Sequence, residues 1–514
     1  MKPLRDTWKS RLGIIMAVAG SAIGLGNFLR FPAKAVANGG GAFMIPYLVS
    51  LFLLGTPLIW IEWTLGRYGG GFGHGTAPGI FHSLQRKNRF LKYFGVIGIF
   101  GPLVIFIYYI YIESWTLAYS IFSLTKKFSG LTDTVSLRNF LSGFQGLETN
   151  QYFDNIGHAY FFFLLTFALN IVVIYYGIRG GIERLCKIAM PLLFIFAIIL
   201  CIRVLTLGTP NPSFPDWNVN NGLGFMWNPD FTALKSAKVW LEAAGQIFFT
   251  LSVGIGVILT YASYLSKGDD VTLSGLTASS LNEMAEVILG ASIVIPAAFI
   301  FFGPVEIQSI AKSGIFNLGF VTMPSILNRL PLPEILGFCW FGLLFLAGIT
   351  SAVSLAQPAI AFLEDEFDIT RKKAVTIFGI VSFILCQPAI FFLKNGVVDE
   401  LDFWGGTFFL VIFATIETIL FVWVFGMENA WKEIHHGADL EIPKFYKFII
   451  KFVTPSFLIT ILVMWFIQEW WPIILMKNIA PANQIFVMGT RVGLFLLFVG
   501  LAILVKLAWR KKRL

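Results

Sequence analysis

The sequence predicts an all-α membrane protein of about twelve transmembrane helices, arranged as a five-plus-five inverted repeat whose first and sixth helices are broken. Three observations carry this prediction: an apolar composition, apolar runs that recur near membrane length, and two polar, glycine-rich interruptions five spans apart. Of 514 residues, 56% are hydrophobic and only 13% charged, whereas soluble domains carry roughly 25% charged residues. A chain this apolar cannot cover itself with a water-facing surface, so much of that surface must meet the lipid bilayer.

A helix crossing the bilayer needs about 20 apolar residues. Runs of that kind lie near Leu12–Val36, Gly41–Gly66, Phe90–Leu124, His158–Gly177, Arg184–Leu207 and Val239–Leu265. A second set lies near Leu273–Phe302, Ile335–Phe367, Val375–Leu393, Leu401–Phe425, Lys447–Trp470 and Ile485–Lys506. The whole chain, 1–514, reads as one transmembrane domain: 12–207 and 239–425 are the two repeats, and 447–506 two accessory helices.

The first span is interrupted by Gly20-Ser21-Ala22-Ile23-Gly24-Leu25-Gly26-Asn27, and the sixth by Thr250-Leu251-Ser252-Val253-Gly254-Ile255-Gly256. Glycine weakens a helix by roughly 0.8–1.0 kcal/mol relative to alanine, so such clusters mark places where a helix can unwind. Unwound backbone in hydrocarbon leaves unmet hydrogen bonds, and it survives only where it lines a cavity or holds an ion. Two breaks at corresponding positions of two halves point to a binding site at a repeat interface. Close packing through Gly20-xxx-Gly24 accounts for the glycines but not for the polar residues beside them. No strand precedes Gly24-Leu25-Gly26, which excludes a dinucleotide fingerprint.

Charge placement predicts orientation. The net charge of +9 comes from Lys and Arg at both ends (Lys2, Arg5, Lys9, Arg11; Arg510, Lys511, Lys512, Arg513) and in alternate loops such as Arg86-Lys87 and Arg371-Lys372-Lys373. The intervening loops, Lys126 to Gly157 and Thr209 to Lys235, are nearly balanced. This positive-inside pattern places both termini in the cytoplasm of a plasma (inner) membrane protein and disfavours nucleic acid as a partner. Cys186, Cys201, Cys339 and Cys386 lie too far apart for a zinc site. The five histidines lie in or beside loops, and no hydrolase motif is present, so an enzyme is not expected.

Several motifs closely resemble the neurotransmitter:sodium symporter family over nearly the whole chain. They are Arg11-Leu12-Gly13 through Gly24-Leu25-Gly26-Asn27-Phe28-Leu29-Arg30-Phe31-Pro32, then Asn38-Gly39-Gly40-Gly41-Ala42-Phe43, Tyr109 through Trp115, and Gly245 through Ser252. Leu281-Asn282-Glu283, Ala347 through Ser351 and Asp402-Phe403-Trp404 follow in the same order.

The resemblance implies a sodium-coupled symporter of small neutral hydrophobic L-amino acids working by alternating access. The substrate carboxylate is expected at the amides of Leu25 and Gly26 and the hydroxyl of Tyr109, and its ammonium at carbonyls of Ala22, Phe249 and Thr250 and the hydroxyl of Ser252. A helix N-terminus suits the anion and a C-terminus the cation. Ser21, Ile105, Tyr109, Phe249, Ile255, Ser351 and Leu355 should line an uncharged side-chain pocket. Gly24 stands where monoamine carriers have an aspartate, and it leaves room for a substrate that brings its own carboxylate.

Two sodium sites are implied, with no organic cofactor: Ala22, Asn27, Thr250 and Asn282 with the substrate carboxylate, and Gly20, Ile23, Ala347, Thr350 and Ser351. Glu286, one turn after Asn282, stands where chloride-dependent relatives have serine, which implies transport without chloride. Gates are expected between Arg30 and Asp402 and between Arg5 and Asp365, the latter backed by Trp8 and Tyr264. Lys34 and Glu242 should approach the outer vestibule. A channel would instead favour a continuous polar pore lining, which this chain lacks. The oligomeric state is left open, a homodimer included.

Overall fold

The computed structural model describes residues 7–312, 314–477 and 479–511. No β-strand occurs among the described residues. The first predicted span is three short helices: α1 (Arg11–Ala22), α2 (Leu25–Phe28) and α3 (Arg30–Ala37). It is followed by α4 (Gly41–Gly70), α5 (Leu91–Leu124), α6 (Gly157–Tyr175) and α7 (Ile178–Leu205). The sixth predicted span is also divided, into two pieces, α8 (Ala237–Leu251) and α9 (Val257–Ala262). Then come α10 (Thr272–Lys312), α11 (Pro333–Phe367), α12 (Arg371–Phe391), α13 (Val397–Ile434), α14 (Phe445–Ile474) and α15 (Pro481–Lys511).

Ten of these helices are long and apolar enough to cross a membrane. The first and sixth predicted spans are not among them, because each is divided. At about 1.5 Å per residue, the 12 residues of α1 and the 15 of α8 fall short of a hydrocarbon core of about 30 Å. Each half-helix must therefore end inside the protein.

The predicted boundaries err mainly where charge or polarity hides a helix end. Helix α12 begins at Arg371, its basic run forming the first turn rather than a loop; long cationic stems lie along apolar surface while their heads stay wet. The loop after α5 carries a surface helix, Thr134–Phe144, capped by Asp133 accepting from the Ser136 amide at 2.7 Å. The loop before α8 carries Val219–Trp227, capped by Asn218.

The window of α5 that crosses the membrane is entirely buried, whereas α6, α7 and α15 present most of theirs outward. Helix α5 packs along α11 over the most extensive contact in the molecule, and α1 lies against α7, α10 and α11. The two broken segments thus sit inside a shell of unbroken helices. That placement satisfies the requirement that irregular backbone at membrane depth be enclosed by protein.

Candidate functional site

The break after α1 falls at Ile23 and Gly24, both extended in backbone conformation. The chain restarts as α2 with Asn27 at its third position, whose Oδ1 accepts from the Gly24 amide at 2.8 Å. The Leu25 amide donates to the Tyr109 hydroxyl on α5 at 3.3 Å. A Cβ at Gly24 would stand 3.0 Å from Ser351 Oγ and 3.1 Å from the Tyr109 hydroxyl. Any side chain at position 24 would therefore fill the polar gap between α1, α5 and α11.

The break between α8 and α9 is made by positive φ. Ser252 adopts the left-handed conformation (φ 54°), with Gly254 at 75° and Gly256 at 91°. A Cβ at Gly256 would lie 2.6 Å from the Gly98 carbonyl oxygen, and one at Gly254 2.6 Å from that of Leu410. Glycine is thus required at both positions, by conformation and by space. The freed Gly254 amide donates to Glu62 on α4 at 2.5 Å.

The two breaks meet. The Ser252 hydroxyl donates to the Ser21 carbonyl at 3.0 Å, and the Ser351 hydroxyl of α11 donates to the Ser21 and Gly20 carbonyls at 3.2 and 3.3 Å. The Ser21 hydroxyl accepts from Ser354 at 2.8 Å. Ile105, Tyr109, Ile255 and Leu355 are buried around this junction, and Phe249 is partly buried beside it. The space next to Gly26 is filled by the Phe249 ring.

A carboxylate cluster lies beside Asn27. Its Nδ2 reaches Asn282 Oδ1 at 2.8 Å, Glu286 Oε2 at 2.9 Å and Thr250 Oγ1 at 3.1 Å. Gln246 donates to Glu286 at 2.9 Å, and Thr250 also hydrogen-bonds Glu286. The Tyr47 hydroxyl reaches both Glu283 (2.7 Å) and Glu286 (3.1 Å). Glu286 is completely buried and sits on a π-helical stretch of α10, Met284–Gly290; such widened turns recur at functional sites. Tyr47 and Gln246 are thus both hydrogen-bond partners of Glu286. Glu283, Ser354 and Glu62 were not singled out from the sequence, although a carboxylate at membrane depth is itself a signal.

Of the second group of expected ligands, Gly20, Thr350 and Ser351 lie together where α1 meets α11. Gly20 faces α11, a Cβ there lying 3.2 Å from Thr350 Cβ. Thr350, however, donates to carbonyls of its own helix, Leu346 at 3.0 Å and Ala347 at 3.2 Å, as membrane-helix hydroxyls often do.

The gates differ from expectation. Arg30 and Asp402 line one cavity of ≈ 280 Å³ together with Lys34, Glu242 and Glu469. They do not pair: Arg30 stacks 4.3 Å from the Phe249 ring centroid, and Asp402 accepts from Tyr108 at 2.6 Å. The correction has a physical reason, since each charge is engaged by an aromatic side chain, Arg30 by Phe249 and Asp402 by Tyr108. Lys34 and Glu242 form the ion pair there, at 2.6 Å.

On the opposite side, Arg5 lies outside the described residues, so its pairing with Asp365 has no structural counterpart here. Trp8 donates from its indole nitrogen to the Tyr261 carbonyl at 3.0 Å. The Tyr264 hydroxyl accepts from Gln357 (2.8 Å), which accepts in turn from Arg371 (2.9 Å). Arg11 binds Asp270 at 2.8 Å and Asp439 at 2.5 Å. Burial acts to raise the Asp270 pKa. The amides of Asp439 and Leu273, the Thr272 hydroxyl and Arg11 outweigh it and hold that carboxyl below its ordinary value.

Comparison with known proteins places this geometry. The profile of the Sodium:neurotransmitter symporter family matches residues 5–139 and 129–508. A sodium-dependent transporter of Methanocaldococcus jannaschii, itself described as uncharacterized, is 32% identical over 461 residues, covering 88% of this chain and 89% of its own. The sodium-dependent nutrient amino acid transporter 1 of Drosophila persimilis is 25% identical, over 97% of this chain and 79% of its own. Among solved structures, the crystal structure of MhsT in complex with L-phenylalanine superposes with a TM-score of 0.76 at 30% identity, covering 89% of this chain and 99% of that one. A match spanning nearly every helix, with two interrupted helices meeting inside the bundle, shows that the chain belongs to the sodium:neurotransmitter symporter family, whose members are sodium-coupled membrane transporters.

Proposed function

We propose that this protein imports neutral amino acids with apolar side chains together with sodium, by alternating access and without chloride. The observation that carries the reading is the uncharged gap at Gly24. It is bounded by the Leu25 amide, the Tyr109 hydroxyl and the Ser351 hydroxyl, and it adjoins the Asn27–Thr250–Asn282–Glu286 cluster. The substrate carboxylate would meet the Leu25 and Gly26 amides and Tyr109. The ammonium would meet carbonyls of Ala22, Phe249 and Thr250, and Ser252 once its hydroxyl leaves Ser21.

One sodium would bind among Ala22, Asn27, Thr250 and Asn282 and touch the substrate carboxylate, so that each ligand favours the other. Sodium takes oxygen ligands, so its arrival would turn the Asn27 carbonyl away from the Gly24 amide. A second sodium would bind at Gly20, Ile23, Ala347, Thr350 and Ser351. Glu286 supplies the fixed negative charge that makes chloride unnecessary. Ile255 and Leu355 leave an apolar pocket, and the phenylalanine bound to MhsT supports including aromatic side chains among the substrates.

Uptake of individual neutral amino acids into proteoliposomes, with sodium or potassium outside, tests the proposal. Accumulation should require sodium and survive replacement of chloride by gluconate. Equal uptake in the two cation solutions would remove sodium coupling.

A further inference from the structure

The vestibule cavity has two walls of different build. One is made by α3 and α8, which carry Arg30, Lys34 and Glu242, and the other by α13 and α14, which carry Asp402, Glu469 and Trp470. Helix α3 is only 8 residues long and has a turning point at each end: the junction at Leu29, and Gly39 and Gly40 with φ of 93° and 59°. Arg30 on Phe249 and Lys34 on Glu242 join it to α8, itself a half-helix that ends at the second break.

The other wall is tied from behind by the two helices outside the repeats. Arg491 of α15 engages three segments at once. Its Nε donates to Glu400 at the start of α13, and its terminal nitrogens donate to the carbonyls of Ile474 (2.6 Å) and Ile473 (2.8 Å) at the end of α14. A helix end leaves such carbonyls without partners of its own. Glu400 also accepts from Trp404 at 2.7 Å, and its side chain and that of Arg491 are 3% and 15% exposed. The tie continues along α15. Asn395 donates to Asn483 at 3.0 Å, Phe392 packs on Phe486 with ring centroids 4.9 Å apart, and Val487 is buried. Asn483, Val487 and Arg491 recur every four residues, a single stripe on a helix that otherwise faces outward. In front of this stripe lies a π-helical turn of α13, Asp402–Phe408, with Phe408 packed on Trp470 of α14 at 4.8 Å.

We infer that Arg491 is a positioning residue for the vestibule gate: through Glu400 and the end of α14 it holds the Asp402–Phe408 turn as a fixed wall, against which the α3–α8 wall closes over bound substrate. Asp402 then stays on Tyr108 and does not travel towards Arg30. The two helices outside the repeats thereby take part in occlusion, beyond covering the bundle. The inference rests on the alternating-access reading proposed above.

Two measurements on the purified full chain separate anchoring from gating. Hydrogen–deuterium exchange over 397–408, without sodium or substrate, should be about tenfold faster in Arg491→Gln. That variant leaves Glu400 buried without its cation. Arg491→Met combined with Glu400→Gln leaves no unpaired charge, is measured beside it, and should show the same acceleration. The gating readout is the rate at which a hydrophilic maleimide labels Thr407→Cys, a vestibule position, in a chain whose native cysteines are replaced. Sodium with L-phenylalanine should slow that labelling when Arg491 is present, and both variants should lose about threefold or more of the protection. A purely structural tie would speed exchange and leave the protection ratio alone. Unchanged exchange, or unchanged protection in the variants while the parent chain is protected, overturns this inference and spares the proposed function. A parent chain without any protection removes the alternating-access reading and this inference with it.

Discussion

Asn27 joins the first break to the carboxylate cluster: it caps α2 through Gly24 and donates towards Thr250, Asn282 and Glu286. Hydrogen bonds to charged groups contribute about 1.5–3 kcal/mol. Asn27→Ala should therefore raise the sodium concentration for half-maximal substrate binding by about 10- to 100-fold, measured as sodium-dependent binding of the transported amino acid. An unchanged sodium dependence contradicts the ligation. Glu286→Ser removes the fixed carboxylate, and uptake by that variant should become dependent on external chloride; uptake that stays equal in chloride and gluconate counts against the charge-substitution reading. The sequence brings Asn282 and Glu286 to one helix face by their spacing. The meeting of Tyr47 with Glu283 and Glu286 is set instead by how α4 packs on α10.

The elements that matter most are the two interruptions, and their glycines are not equivalent. Gly24 has an ordinary extended backbone and is limited by space, whereas Gly254 and Gly256 need positive φ as well. A left-handed residue with a side chain costs roughly 1–2 kcal/mol, before the close carbonyls are counted. Gly256→Ala should lower the thermal unfolding midpoint in detergent and abolish uptake, while Gly20→Ala, with 3.2 Å to Thr350 Cβ, should unfold nearer to wild type. Equal midpoints for the two variants would contradict the role of the turn.

Helix α15 offers a second test at this scale. Its Trp509 ring lies edge-on to His82, 5.6 Å away, and stacks near His74. Burial, then His74, Lys92 and Arg86, push the His82 pKa below 6.5. The unfolded chain then takes up the proton first as pH falls. Stability is full above about pH 6.5 and declines below it. Thermal midpoints at pH 7.5 and about 5.5 should differ in the wild type, and His82→Gln should reduce that difference.

Across the whole molecule, one side holds a cavity between charged walls and the other is tied by Trp8, Arg11 and Gln357. Asp270 lies in the link between α9 and α10, and Arg11 joins it to α1. Any movement of α1 away from the bundle must break that pair. Arg11→Gln should therefore increase labelling of a cysteine introduced on the N-terminal half of α1 by a membrane-impermeant thiol reagent, with sodium present. Labelling at the wild-type rate would mean that the contact does not hold this side shut. The second pair of Arg11, with Asp439, is exposed on both sides; such pairs contribute only about 0–1 kcal/mol each, which suits contacts that must open in every cycle.

Composition and run length by themselves determined that the chain is a helical membrane protein, because about 20 apolar residues can do little else than span a bilayer. The clustered glycines and hydroxyls determined where two helices break, since unwinding is a local property of the backbone. Pairing was decided only by the tertiary structure. Arg30 and Asp402 were legible as charges near a vestibule, yet Phe249 and Tyr108 claim them, and the basic run at Arg371 forms a helix start that reaches Gln357. A charge selects among the partners that packing places within a few ångströms, and that distance is fixed by helices remote in sequence.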